Sequence, residues 1–147
     1  MMENKQFTVG RYYVEIEKQD PYDNNWYFIK VSAPDGSELA SGNVDNNVTS
    51  SKDTFMLHDL RLNTTDDRIN DGINIILEIS ESIASRRGAG QFVLKRDREY
   101  SPYLAPIAND NNYTANADGN YTISKMRELY GANLSRIVPE DDQWKYE

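Results

Sequence analysis

Val14 and Ile16 alternate with Glu15 and Glu17 inside the stretch from Phe7 to Glu17, the period of a strand with one face buried. The same reading extends to 26–32 and 38–44, two apolar runs that flank Ala33-Pro34-Asp35-Gly36-Ser37. There Pro34 presets φ and Gly36 is free to take a positive one, so the two runs form a hairpin. Residues 54–62, Thr-Phe-Met-Leu-His-Asp-Leu-Arg-Leu, read as a further strand. The period then changes. From Asp66 to Arg87 the residues Ile69, Ile73, Ile76, Ile79 and Ile83 recur at helical spacing and line one face. Thr65, Asp66 or Asp67 caps the start, Arg86 and Arg87 suit the negative end of the dipole, and Gly88 stops the helix. Arg86-Arg87-Gly88-Ala89-Gly90 thus has the composition of a phosphate loop but stands at a helix exit, whereas a phosphate loop opens a helix.

Phe92 to Leu94 begins a strand parallel to 54–62, completing a right-handed crossover unit. Residues 100–121, with Pro102, Pro106 and many Asn, read as a long Tyr/Asn-rich loop. A short helix is expected from Ile123 to Leu129, ending at Gly131, then a last strand and an acidic tail at 139–147. The whole predicts one α/β domain over residues 1–147: a mixed, mostly antiparallel sheet with one long and one short helix.

Composition narrows the function. The 147 residues include 16 Lys and Arg against 24 Asp and Glu, a formal charge of −8. That balance disfavours direct binding to nucleic acid or an anionic membrane, both of which select cationic surfaces. With Cys 0 in the composition, disulfides, thiolate metal sites and cysteine nucleophiles are excluded. The absence of a leader pattern and of a long apolar run suggests a cytoplasmic protein, in which the Asn-x-Ser/Thr triplets at Asn47, Asn63, Asn112, Asn120 and Asn133 carry no glycans.

The segments 27–44 (YFIKVSAPDGSELASGNV), 54–94 and 125–138 (KMRELYGANLSRIV) together resemble the central hairpin, the strand–loop–helix–strand unit and the late helix of the GNAT N-acyltransferases. The resemblance implies acetyl-CoA or another acyl-CoA as cofactor, with Leu62, Arg68, Asp71, Gly72, Ile73 and Asn74 as the pyrophosphate-binding set. Aligning Gly72 with the first glycine of the family loop puts Ile69 at its Gln/Arg position and Asn74 at its second glycine. Asp66, Asp67 and Asp71 surround the same helix start, where carboxylates favour the dipole but repel a phosphate. The family's helical pair before the central hairpin has no room between Glu17 and Trp26. Tyr130 is the nearest counterpart of the family's proton-donating tyrosine, although aligning Gly131 with the family's helix-ending glycine brings Arg127 to that position. His58, the sole histidine, and Asp59 are the candidate bases.

Other constellations compete. Thr114–Lys125 partly matches a calcium loop through Asn116, Asp118 and Gly119, but lacks carboxylates at both its first and twelfth positions. Tyr100, Tyr103, Tyr113 and Tyr121 form a candidate recognition surface for a protein partner. The alternative to an acyltransferase is therefore a noncatalytic acidic interaction or inhibitor protein, of the kind phages encode.

Overall fold

The computed structural model describes residues 4–20, 23–46, 53–63 and 67–127. Strands β1 (Asn4–Val9), β2 (Tyr12–Asp20), β3 (Asp23–Ser32), β4 (Glu38–Asp45) and β5 (Thr54–Leu62) precede helix α1 (Arg68–Arg86). Strand β6 (Gln91–Leu94), helix α2 (Ser101–Asp110) and the short strands β7 (Thr114–Ala115) and β8 (Tyr121–Ile123) follow. All strands join one sheet in the order β1-β2-β3-β4-β5-β6-β8-β7. Only β5 and β6 run parallel among the described pairs, as the intervening α1 requires.

The first strand expected at 7–17 is two strands. Gly10, at φ 59, turns the chain so that Phe7 pairs with Val14. The Ala33–Ser37 hairpin forms as expected, with Gly36 at φ 90 and the Asp35 carboxylate accepting bonds from the Ser37 N–H and hydroxyl. The expected loop at 100–121 is a helix over Ser101–Asp110. Pro102 falls in its first turn, where no N–H is required. Leu104, Ile107 and Ala108 turn inward, and Asn112 at φ 66 takes the terminating role usual for glycine, with the Tyr113 N–H bonded to the Ala108 carbonyl. The short helix expected from Ile123 is replaced by β8, whose Ile123 pairs with Phe92. Residues 128–147, with Gly131, the expected last strand and the acidic tail, lie outside the described residues.

One face of the sheet carries Val14, Ile16, Tyr27, Ile29, Val31, Val44, Phe55, Leu57, Phe92 and Leu94, all buried. The isoleucine stripe of α1 closes over it, with Ile73, Ile76, Ile79 and Ile83 at 0% exposure. Fully burying such side chains stabilises by about 1.5–3 kcal/mol each. At Gly72 the helix lies directly on β4, where a Cβ would stand at ordinary contact distance, 3.4 Å, from the Cβ of Ala40 and 3.6 Å from that of Leu39.

The helix exit fits its reading in detail. Ala89 donates to the Ala84 carbonyl and Gly88, at φ 77, to that of Ser85, the paired bonds of a Schellman stop. Gly90 then passes so close to Asp53 that a Cβ would lie 2.3 Å from its carboxylate oxygen.

Candidate functional site at the parting of β5 and β6

β5 and β6 pair from Thr54 and Gln91 to Leu57 and Leu94, and the ladder ends with Lys95 donating to the Leu57 carbonyl. Beyond this point β6 stops, while β5 continues to Leu62 beside β4. A bulge accompanies the parting. Asn43 pairs with His58 and Ser41 with Arg61, so three steps on β5 (58 to 61) oppose two on β4 (43 to 41). Asp59 takes φ 52 within it. Gly42 lies opposite, where a Cβ would stand 2.8 Å from Leu57 Cδ1. A cleft of about 310 Å3 opens between the two walls, lined by Leu57, His58, Asp59 and Leu60 on one side and Lys95, Arg96, Asp97 and Arg98 on the other. It lies at the carboxyl ends of the parallel pair, the place where open α/β sheets receive ligands. Because α1 runs back antiparallel to both strands, its start is at this same end.

His58 is held at both ring nitrogens. Nε2 lies 2.6 Å from the buried Asp45 carboxylate and Nδ1 lies 3.0 Å from Asp59. The bond to Asp45 raises the His58 pKa above its ordinary value, burial opposes the rise, and the charges of Asp45 and Asp59 add to it. With both nitrogens engaged by carboxylates, His58 is a clamp between Asp45 on β4 and Asp59 on the bulge of β5. The Asp59 side chain, by contrast, is 71% exposed and projects from the bulge.

The expected pyrophosphate set runs from the end of β5 into the first turns of α1. Leu62 ends β5 and Arg68 opens α1. A helix leaves only its first few N–H groups free, so the amides of Asp71, Gly72, Ile73 and Asn74 belong to the helix ladder. Asp71 accepts the Tyr12 hydroxyl at 2.6 Å. Gly72 and Ile73 are buried against the sheet. Asn74 donates to the Asn70 carbonyl and accepts from Asn111. Tyr130 lies outside the described residues.

The tyrosines are drawn inward. Tyr113 is 8% exposed, packs edge-on to Phe92 and donates to Glu81 Oε2 at 2.6 Å. Tyr100, Tyr103 and Tyr121 are half-buried and pack on the core. Of the four, only Tyr113 is buried, and the other three keep partial exposure. The large exposed apolar side chains among the described residues are Tyr13 and Trp26, both distant in sequence from the cleft walls.

Glu81, which sequence reasoning missed, is a fully buried carboxylate in mid-α1. Arg127 reaches it through its backbone N–H at 2.9 Å, Nε at 3.1 Å and Nη2 at 2.5 Å, and bonds Asn111 through Nη1. Burial lowers the Arg127 pKa, but the bonds and charge of Glu81 outweigh it. Burial, then Glu81, pushes the Tyr113 phenol up. Glu81 stands off the isoleucine stripe of α1, on the side of Leu77 and Asn74, so the helical period gave no signal of its burial.

No family model and no curated protein matches the sequence. Solved structures do resemble the fold. A cAMP-binding acyltransferase from Mycobacterium smegmatis is 8% identical, with 98% of this chain and 55% of that one aligned at a TM-score of 0.62. A mutant of that acyltransferase aligns over 84% and 39% of the two chains at 9% identity and TM-score 0.56. A protein from Sphaerobacter thermophilus assigned as an acetyltransferase is 12% identical, covering 82% of this chain and 98% of that one at TM-score 0.56. The fold is therefore acyltransferase-like. The chain spans about half or less of the mycobacterial chains, at 55% and 39% of their length.

Proposed function

We propose that this chain is a divergent GNAT-like module that binds an acyl-CoA and transfers its acyl group to an amine. The observation that carries the reading is the parting of β5 and β6 at the bulge, which opens a cleft between strands that are paired up to Leu57. The residues fit such a group. Lys95, Arg96 and Arg98 make one wall cationic, the charge that the phosphates of an acyl-CoA require, and the other wall is the part of β5 beyond its pairing with β6. An acyl-CoA would supply a thioester carbonyl for the amine to attack, and as the amide bond formed and the C–S bond broke it would leave as the free thiol. Asp59 stands on the bulge as the group to take the amine's proton, and His58 fixes one of its oxygens.

Calorimetry with acetyl-CoA tests the reading, together with hydrogen exchange to locate the ligand. Micromolar binding with new protection at 57–62 and 94–98 is expected. Absence of binding, or protection confined to residues away from the cleft, overturns it.

A further inference from the structure

The phosphates of an acyl-CoA need cations or free amides, and the two sides of the cleft differ sharply in supplying them. At the start of α1, Asp67 is the N-cap and Asp71 stands in the first turn. Across the cleft, Lys95-Arg96-Asp97-Arg98 places three cations within four residues of a chain whose net charge is −8. All three are exposed and line the cleft, and none forms an ion pair with a described residue. Asp97 lines the cleft between them, and one of its carboxylate oxygens, Oδ1, accepts the backbone N–H groups of Glu99 and Tyr100 at the entry to α2.

Arg96 has a prepared seat. Its backbone N–H donates to Asn120 at 2.8 Å. Its guanidinium lies across the turn between β7 and β8, where a Cβ at Gly119 would stand 3.1 Å from Nη1 and 3.2 Å from Cδ. That turn is built by Asn116, whose side chain accepts from the amides of Asp118 and Asn120, and Gly119 completes it at φ 82. The Asn/Gly-rich stretch with a partial calcium-loop pattern is therefore a support for a cation. A second hollow of about 190 Å3, lined by Arg96, Asp97, Arg98, Ser101, Leu104 and Tyr121, adjoins the first. The basic segment is thus open on both sides.

We infer that Lys95, Arg96 and Arg98 hold the phosphates of the acyl donor from the β6 side, in place of the amides at the start of α1. This rests on the acyl-CoA reading of the cleft and specifies which wall receives the charge. Three cations aimed at a polyphosphate also make its binding strongly dependent on salt, and bidentate guanidinium contacts give it geometry.

The test compares acetyl-CoA with S-acetylpantetheine, which lacks the phosphates, by calorimetry at low and moderate salt. The proteins are the wild type, Arg96→Ala, Lys95→Ala/Arg98→Ala, Gly119→Ala and the contrasting Arg68→Ala. Arg96→Ala and the double variant are expected to bind acetyl-CoA about tenfold more weakly or worse, the scale of a charge-assisted hydrogen bond, with a shallower salt dependence and unchanged affinity for S-acetylpantetheine. Gly119→Ala is expected to weaken acetyl-CoA in the same sense by displacing Arg96. The exposed substitutions are expected to leave the melting temperature unchanged, so a loss of affinity is not a loss of fold. Retained acetyl-CoA affinity in the β6-side variants, with loss in Arg68→Ala, overturns the inference and leaves the acyl-CoA reading standing. Binding of neither ligand to the wild type overturns both.

Discussion

Two clusters of charge differ in where they stand. Glu81 and Tyr113 are buried between α1, the end of α2 and the chain after β8, the carboxylate wholly removed from water, and Arg127, its side chain 34% exposed, closes over them. His58, Asp45 and Asp59 lie on β4 and β5 beside the cleft, one carboxylate buried and the other mostly exposed. The first cluster spends its bonding capacity internally and ties the chain after β8 to the long helix. The second also fixes a geometry, that of the bulge, but leaves Asp59 facing solvent. Perturbed titration is therefore a poor guide to chemistry here: Tyr113 is strongly shifted and sealed, whereas the cleft earns its functional reading from shape and access.

Removing one partner from the first cluster gives the largest expected effect. Arg127→Met leaves Glu81 buried without its cation and is expected to cost about 3 kcal/mol or more, read by urea denaturation. Partial rescue by Glu81→Leu in the same chain would show that the stranded charge, not lost packing, causes the loss. His58→Leu leaves Asp45 similarly exposed to desolvation at a less enclosed site, and about 1–3 kcal/mol is expected.

The second cluster is further distinguished by pH. The folded-state pKa of His58 is raised above the ordinary 6.5. Its contribution is therefore fully present below that value and fades as pH rises through the folded pKa. The stability gap between wild type and His58→Leu should narrow as pH rises past 6.5 to what a neutral imidazole still contributes, and a constant gap up to alkaline pH would contradict the clamp. Smaller again is Tyr12→Phe, which removes the bond to Asp71 and is expected to cost about 1 kcal/mol. Combined with Arg127→Met its effect should add, since the two sites share no partner; strong coupling would mean that α1 transmits strain between its ends.

Much of the fold was legible because the chain states its periods clearly. The strand at 54–62, the α1 helix and its Gly88 stop, and the Pro34-Asp35-Gly36 turn all follow from local residue chemistry. α2 was hidden because Pro102 and Pro106 signal a break wherever they occur, and only tertiary packing of Leu104, Ile107 and Ala108 shows that the first occupies a tolerated helix position. The cleft was legible only in outline. Asp59 as a bulge and Gly42 opposite it depend on a cross-strand register that no local pattern encodes, and Lys95 to Arg98 read as a mere charged interruption until the strands beside them part.

The connection from α1 to β6 has a consequence for how the chain tolerates change. Gly88 reverses the helix, Gly90 slips past Asp53, and the Gly90 amide bonds the Asp53 carbonyl at 3.0 Å just before Gln91 meets Thr54. The stretch therefore acts as a gauge for the parallel pair. Inserting or deleting one residue would turn Phe92 and Leu94 outward and bring Val93 into their layer. Although much of it lies at the surface, this is a connection whose length is fixed.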